Sequence, residues 1–279
     1  MTLANVTWIG AAYRNNSVRL WAFDGEGKVV KTATAPGRRI SEIARAVSGM
    51  GAASHVPVIT SGLPGDAYRK TPCTPLPDSL LVVMSDGINR AVIPGLSQDD
   101  PAHLTRGPET LIAGFLALNA DFDGVICLPG EITTWAQISA GEVVSIVTFL
   151  TTEIARDQAA NLGLTTATYD QDDFLQAVSD TLSQPERMTA RLASIRAEGL
   201  QHKLPEANAR ARLWGALIGA ELAATRPYWL GQQVALIGEG PETVFYKTAL
   251  DGQGLAITTT DADVMLLKGF VGAYMRLRN

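Results

Sequence analysis

One plan of strands and turns occurs twice in this chain, and it narrows the available folds more than any other feature. Residues 6–10 read as a strand, residues 14–16 as a short polar turn and residues 17–23 as a second strand. Asp24-Gly25-Glu26-Gly27 then turns the chain into a third strand over 28–34. Residues 124–128, 132–138 and 142–149 repeat this meander, with Pro129-Gly130-Glu131 and Ser139-Ala140-Gly141 as the turns. The spacing repeats too. Trp21-Ala22 stands six residues before Gly27 with Val29-Val30 behind it; Trp135-Ala136 stands six before Gly141 with Val143-Val144 behind it. One such match suits any hairpin. Its position in each half makes duplication the better reading.

Helices fill the remainder. Ser41 is the expected N-cap of a helix that carries Ile43, Ala44 and Val47 and closes near Gly49. Further helices are predicted over 110–118, 173–182, 185–197 and 206–225. The last contains the small-residue stretch Gly215 to Ala220, which suits close packing on a neighbouring backbone, most commonly a sheet, or on a flat ligand. A buried strand over 234–237 runs into Gly238-Glu239-Gly240 before a helix at 243–249, and glycines there suit a nucleotide-facing turn. Two α/β halves follow, residues 1–119 and 120–279. In such an architecture paired hairpin turns grip a nucleotide's phosphates across an interdomain cleft. Backbone N–H groups at the turns meet the oxygens, glycine permits the approach, and a carboxylate ending the first strand would hold Mg²⁺ through water.

Charge and composition exclude other classes. A net charge of −5 argues against nucleic acid, which demands a surplus of Lys and Arg on one face. Cys73 and Cys127 lack metal or disulfide spacing and read as small buried residues. His55, His103 and His202 also lack metal spacing. The N-terminal segment has no basic stretch ahead of a long apolar run, and apolar runs such as 111–118 are too short to span a bilayer. The expected setting is the cytoplasm, with small-molecule partners and a homodimer left open.

Several ordered segments now carry a resemblance: Val18-Arg19-Leu20-Trp21, Ile93-Pro94-Gly95-Leu96, Arg106-Gly107-Pro108-Glu109-Thr110, Leu128-Pro129-Gly130 with Trp135, Leu217-Ile218-Gly219-Ala220-Glu221, and Gly238 to Gly240 followed by Tyr246. Together they resemble the 2-dehydro-3-deoxygalactonokinases across nearly the whole chain. The resemblance implies a duplicated actin-like, ribonuclease H-like sugar-kinase fold, and ATP-dependent phosphorylation of a 2-keto-3-deoxy sugar acid with Mg²⁺. Some positions depart from the family. Where its first strand ends in an acid followed by an aromatic, a glycine and hydroxyl residues, this chain has Ala12-Tyr13-Arg14-Asn15-Asn16. In the second hairpin Glu131 stands where the family has a hydroxyl residue before a histidine, and Thr151-Thr152-Glu153 replaces Thr-Gly-Glu. Losses at phosphate-contacting positions raise the alternative of a catalytically impaired relative that binds sugar acid or nucleotide as a sensor.

The resemblance and the residue types give these candidates. Arg106 and Glu109, ahead of a helix, would hold the acid substrate and its hydroxyl; the alternative is a surface ion pair at a helix start. Glu153 would reach metal or phosphate-linked water, or would cap a helix. Asn16, Ser17, Gly130, Gly238 and Gly240 would line the nucleotide. Glu221 would meet its ribose or pair with Arg226. Arg69 and Lys70, in the loop 61–70 after a strand at 56–60, would attract the sugar-acid carboxylate, or form a solvated loop. Arg19 reads as a brace for the first hairpin. Asp86, after an apolar run at 80–84 read as buried, is a candidate base, although Asp86-Gly87 is more simply a turn.

Overall fold

The repeated plan folds as two sheets with one strand order. The computed structural model describes residues 6–14, 16–53, 55–63 and 67–278; Asn15 and Pro64, Gly65 and Asp66 of the expected loops lie outside them. In the first half, β1 (Trp8–Arg14), β2 (Ser17–Phe23) and β3 (Val29–Pro36) form the meander. They are followed by α1 (Ile40–Gly49), β4 (Pro57–Ser61), β5 (Tyr68–Lys70), β6 (Leu81–Ser85), β7 (Ile88–Val92), β8 (Gly95–Asp99), β9 (Ala102–Leu104) and α2 (Pro108–Leu118). The second half has β10 (Gly124–Leu128), β11 (Thr133–Ser139) and β12 (Glu142–Phe149). After them come α3 (Thr151–Asn161), α4 (Gln171–Ser183), α5 (Met188–Leu200), α6 (Glu206–Ala224), α7 (Arg226–Trp229), β13 (Val234–Gly238), α8 (Gly240–Gly252), β14 (Ile257–Asp261) and α9 (Ala262–Arg278).

The first sheet runs β3-β2-β1-β4-β7-β6 and the second β12-β11-β10-β13-β14. In each, the third meander strand lies outermost and the first is followed by two parallel strands, β4 and β7 or β13 and β14. This is the duplicated actin-like α/β fold, with β6 added to the first sheet. A small separate sheet, β5-β8-β9, carries the loop expected to hold substrate. Residues to Phe122 form one compact unit together with Ile138–Ile146 and Ala262–Asn279; Asp123–Gln137 and Val147–Asp261 form the second. The division expected after residue 119 cuts the chain once, whereas these contacts return two later segments to the first unit.

The first unit's core explains its strand order. β1 is buried from Trp8 to Ala12. Ile9 and Ala11 point into a cluster with Val18, Leu20, Ile43, Val47 and Val58. On the other face Trp8 stacks on Phe23 and Tyr274, and Trp21 meets Phe270 of α9. Helices α2 and α9 cross with their backbones touching. A Cβ added to Gly114 would lie 1.8 Å from the Met265 carbonyl oxygen, and one added to Gly269 would lie 2.0 Å from that of Thr110.

In the second unit Gly215 and Gly219 do the same for α6 against α4. Added Cβ atoms there would lie 2.6 Å from the carbonyl oxygens of Phe174 and Val178. The small-residue stretch therefore serves close approach to a neighbouring backbone, as expected, and that backbone is a helix and not a sheet.

Other expectations move. Helix α1 starts two residues before Ser41's expected place, with Arg39 as N-cap; Glu42 accepts the Arg39 backbone N–H at 3.4 Å. Of the run at 80–84 only Leu80 is buried. β6 is the edge strand of its sheet, and Leu81, Val82 and Met84 are 63%, 45% and 71% exposed. Asp86 and Gly87, both at positive φ, make the two-residue turn between β6 and β7, so the turn reading of Asp86 holds. Among the described residues no helix is long and apolar enough to cross a membrane.

Candidate active site

In the first unit the chemistry gathers where β1 and β4 end and α2 begins. β1 and β4 run parallel with Ala12 beside Ser61, and open α/β sheets take ligands at such carboxyl ends. Just beyond β4, Gly62 at φ +78 lets the chain pass close to the Tyr13 carbonyl and Gly107. The Ser61 and Thr110 hydroxyls share a hydrogen bond of 2.6 Å. Glu109, fully buried in the first turn of α2, accepts the Gly107 N–H at 2.6 Å and the Thr105 hydroxyl at 3.0 Å. Its charge lies at the positive end of the helix. Arg106, which is exposed, donates its Nε–H to the Tyr68 hydroxyl at 2.6 Å, and its guanidinium stands 5.9 Å from that ring. The pair expected at this helix start is thus an enclosed anchor and an exposed cation, not a surface ion pair.

The first hairpin is tied to itself and to α9. The Tyr13 hydroxyl donates to Asn16 Oδ1 at 3.0 Å, and the Ser17 hydroxyl donates to the Arg14 carbonyl at 3.4 Å. Asn16 and Ser17, expected at the nucleotide, therefore spend these groups within the turn. Arg19 grips both carboxylate oxygens of Asp263 at 2.8 and 2.9 Å and lies over Trp21. Arg14 stands 3.7 Å from the same carboxylate. Ala12 is buried and offers no side-chain ligand atom. Among the described residues no group of three His, Cys, Asp or Glu could hold a metal ion. Arg69 donates to the Thr74 carbonyl oxygen at 2.7 Å, and Lys70 pairs with Asp99; both pairs are exposed. The solvated-loop reading fits their present contacts better than a carboxylate trap.

In the second unit Gly130 and the exposed Glu131 occupy the turn before β11, and Glu153 is exposed in the first turn of α3. Gly238 is buried. The space its Cβ would fill is taken by the Thr243 side chain, 2.2 Å away, so it is a packing glycine and not an open approach to nucleotide. Gly240, exposed at φ +75, opens α8 and keeps the form expected of a nucleotide-facing turn.

Glu221 departs furthest from expectation. It is 2% exposed and meets neither solvent nor a guanidinium. It accepts the Trp135 indole N–H and the Tyr246 hydroxyl, each at 2.7 Å, and the Thr151 hydroxyl. Tyr246 in turn shares a 2.8 Å bond with Thr133. Burial pushes the carboxyl up from its usual range to about 7, although the donors pull it back. A ribose contact would require this core to open.

Sequence reasoning missed Tyr68, Ser61 and Thr110 in the first unit and Thr133 and Thr151 in the second. The available signal was position alone, at strand ends and helix starts.

Comparison with known proteins covers most of the molecule. The family described as 2-keto-3-deoxy-galactonokinase matches residues 15–273. A protein of Rhizobium meliloti named a probable 2-dehydro-3-deoxygalactonokinase is 31% identical over 246 residues, which is 81% of this chain and 80% of the relative. The 2-dehydro-3-deoxygalactonokinase of Escherichia coli is 26% identical over 226 residues, 76% of each. A crystal structure from Sinorhizobium meliloti, provisionally assigned the same activity, superposes with a TM-score of 0.87 at 27% identity, covering 96% of this chain and 95% of that one.

Proposed function

Because this chain belongs to the 2-keto-3-deoxy-galactonokinase family, we propose that it phosphorylates a hydroxyl of a 2-keto-3-deoxy sugar acid with ATP as donor. The observation that carries the reading is the family match over residues 15–273, which takes in the second sheet whole and every strand of the first except β1. The first unit supports the sugar side. Tyr68 holds Arg106 through Nε, which leaves the terminal nitrogens of an exposed planar fork to take a carboxylate. The buried Ser61 and Thr110 hydroxyls, bonded to each other, tie the end of β4 to the start of α2 behind it. Glu109 serves by fixing the start of α2 under these groups. Enclosed as it is, it is a positioning residue and not the base.

The second unit supports the nucleotide side. Gly240, at the N-terminus of the 13-residue helix α8, which has no side-chain cap, and the turn at Gly130 would offer backbone N–H groups to phosphate oxygens. Glu153, an exposed carboxylate in the first turn of α3, would orient water. ATP, when bound, supplies the transferable phosphoryl group. The residues ending β1 do not fit a cation held by a side-chain carboxylate, since Ala12 has no side-chain ligand atom and Arg14 brings a positive charge. Transfer in this reading rests on orientation and on neutralising charge with guanidinium and backbone donors.

Titration calorimetry with ATP and a 2-keto-3-deoxy sugar acid, followed by an assay for ADP, tests the reading. Saturable nucleotide binding with turnover is expected. Binding of the sugar acid without nucleotide heat would instead indicate a sensor. Arg106→Ala is expected to raise KM for the sugar acid about tenfold, or ~1.4 kcal/mol, with kcat little changed. An unchanged KM would remove Arg106 from the substrate site.

A further inference from the structure

One buried carboxylate joins four elements of the second unit, and nothing in the phosphoryl-transfer reading yet uses it. Glu221 on α6 receives Trp135 from β11, Thr151 from the first residue of α3 and Tyr246 from α8. Thr133, bonded to Tyr246, closes the circuit back to β11 only three residues after Gly130. Tyr246 lies in the second turn of the helix that Gly240 opens. The two turns proposed to meet phosphate are therefore each within a few residues of a side chain that ends on this carboxylate.

The surroundings make this an unusual place for an acid. Trp135, Leu217, Leu222 and Cys127 belong to the apolar core around it. The titratable groups facing it are Cys127 of β10 and Tyr246 of α8, both held neutral by burial. All its printed partners are neutral donors. An apolar residue of similar size would avoid the desolvation of the carboxylate, so stability alone is a poor reason for an acid there. What an acid supplies is direction: three donors converging on two oxygens fix the angles between β11, α3 and α8.

We propose that Glu221 is a positioning residue, which sets the turn at Gly130 and the start of α8 in register with each other for nucleotide binding. The proposal rests on the kinase reading, and its test separates the two. Glu221→Gln keeps an acceptor for Trp135 and turns an amide toward Thr151 and Tyr246, whose oxygens accept, so it is the conservative variant. Glu221→Leu removes the hub while keeping the volume apolar. Tyr246→Phe cuts only the arm to α8 and Thr133.

Three readouts follow. By amide hydrogen exchange, Glu221→Leu is expected to speed exchange at both 129–135 and 240–246 about tenfold, and Tyr246→Phe chiefly at 240–246. In the assay, Glu221→Leu is expected to raise KM for ATP about tenfold with kcat within about threefold, and Glu221→Gln to restore most of the loss. By NMR, the Trp135 indole N–H should titrate with a midpoint near 7 in the wild type and not in Glu221→Gln, which identifies the hub as intact. Exchange in Glu221→Leu that stays as in the wild type at either segment overturns the proposal, whether or not the protein proves to be a kinase. So does a Glu221→Leu protein whose KM for ATP is unchanged. Variants that show the exchange pattern, with a wild type that neither binds nor hydrolyses nucleotide, overturn the kinase reading alone.

Discussion

Replacing Gly269 with valine is expected to destabilise the first unit by about 3 kcal/mol or more, near the upper end for overpacked sites. The added atoms would meet the Thr110 carbonyl, 2.0 Å from the first of them, at a crossing where Gly114 touches the Met265 carbonyl in the same way. Backbone stands on both sides, so no rotamer change relieves the clash and the helices must separate. Separation also pulls Phe270 away from Gly10, where an added Cβ would lie only 2.8 Å from its ring, and from Trp21. Gly199→Ala is the control. Nothing lies within 4 Å of that position in α5, and the change should be neutral or stabilising by up to about 1 kcal/mol. Urea unfolding followed by circular dichroism compares the two, and a Gly269→Val midpoint close to wild type would show that the crossing is soft.

The second large effect is on pH dependence. Glu221 has its carboxyl raised from about 4.5 to about 7, chiefly by burial and against the pull of Thr151, Trp135 and Tyr246. The folded protein thus keeps a proton that the unfolded chain has already released. Between these values the native state binds more protons than the unfolded one, so stability falls as pH rises. The contribution is fully present below about 4.5 and is lost as pH passes through about 7. The gap corresponds to roughly 3 kcal/mol. Glu221→Gln removes this dependence and leaves every other titrating group in place. The difference in unfolding free energy between Glu221→Gln and wild type should therefore grow in the variant's favour by about that amount from pH 4.5 to pH 8. A difference flat with pH would mean that water or rearranged donors solvate the carboxylate.

The meander of each half was legible because it depends on local signals. Alternating apolar residues, Asp and Gly at the turns and the Trp-to-Gly spacing gave strands whose observed bounds at 17–23, 124–128 and 142–149 match those read from sequence. Helix α9 and the β5-β8-β9 sheet were not foreseen. α9 carries its apolar residues on more than one side, because it meets both α2 and the sheet, so no single stripe announces it. The exposed β6 failed for the opposite reason: its apolar run carries no sign of lying at an edge.

At the candidate site, residue type matched the exposure of Arg106 but was a poor guide to the buried Glu221 and Gly238. Whether a carboxylate or a glycine faces ligand or core depends on partners far away in sequence, here Trp135, Thr151 and Tyr246, or on the Thr243 side chain. Arg19 was legible as a brace, although its partner Asp263 lies near the other end of the chain.

The return of α9 to the first unit has a consequence for synthesis. Residues 123–137 and 147–261 all leave the ribosome between α2 and the helix that packs on it. At cellular elongation rates that interval is on the order of ten seconds. During it the face of β1 and β2 that bears Trp8 and Trp21 lacks the Phe270 and Tyr274 rings that later meet it. The half that emerges first is the last to be completed, and the nascent chain must keep an apolar sheet face from aggregating until its final helix is made.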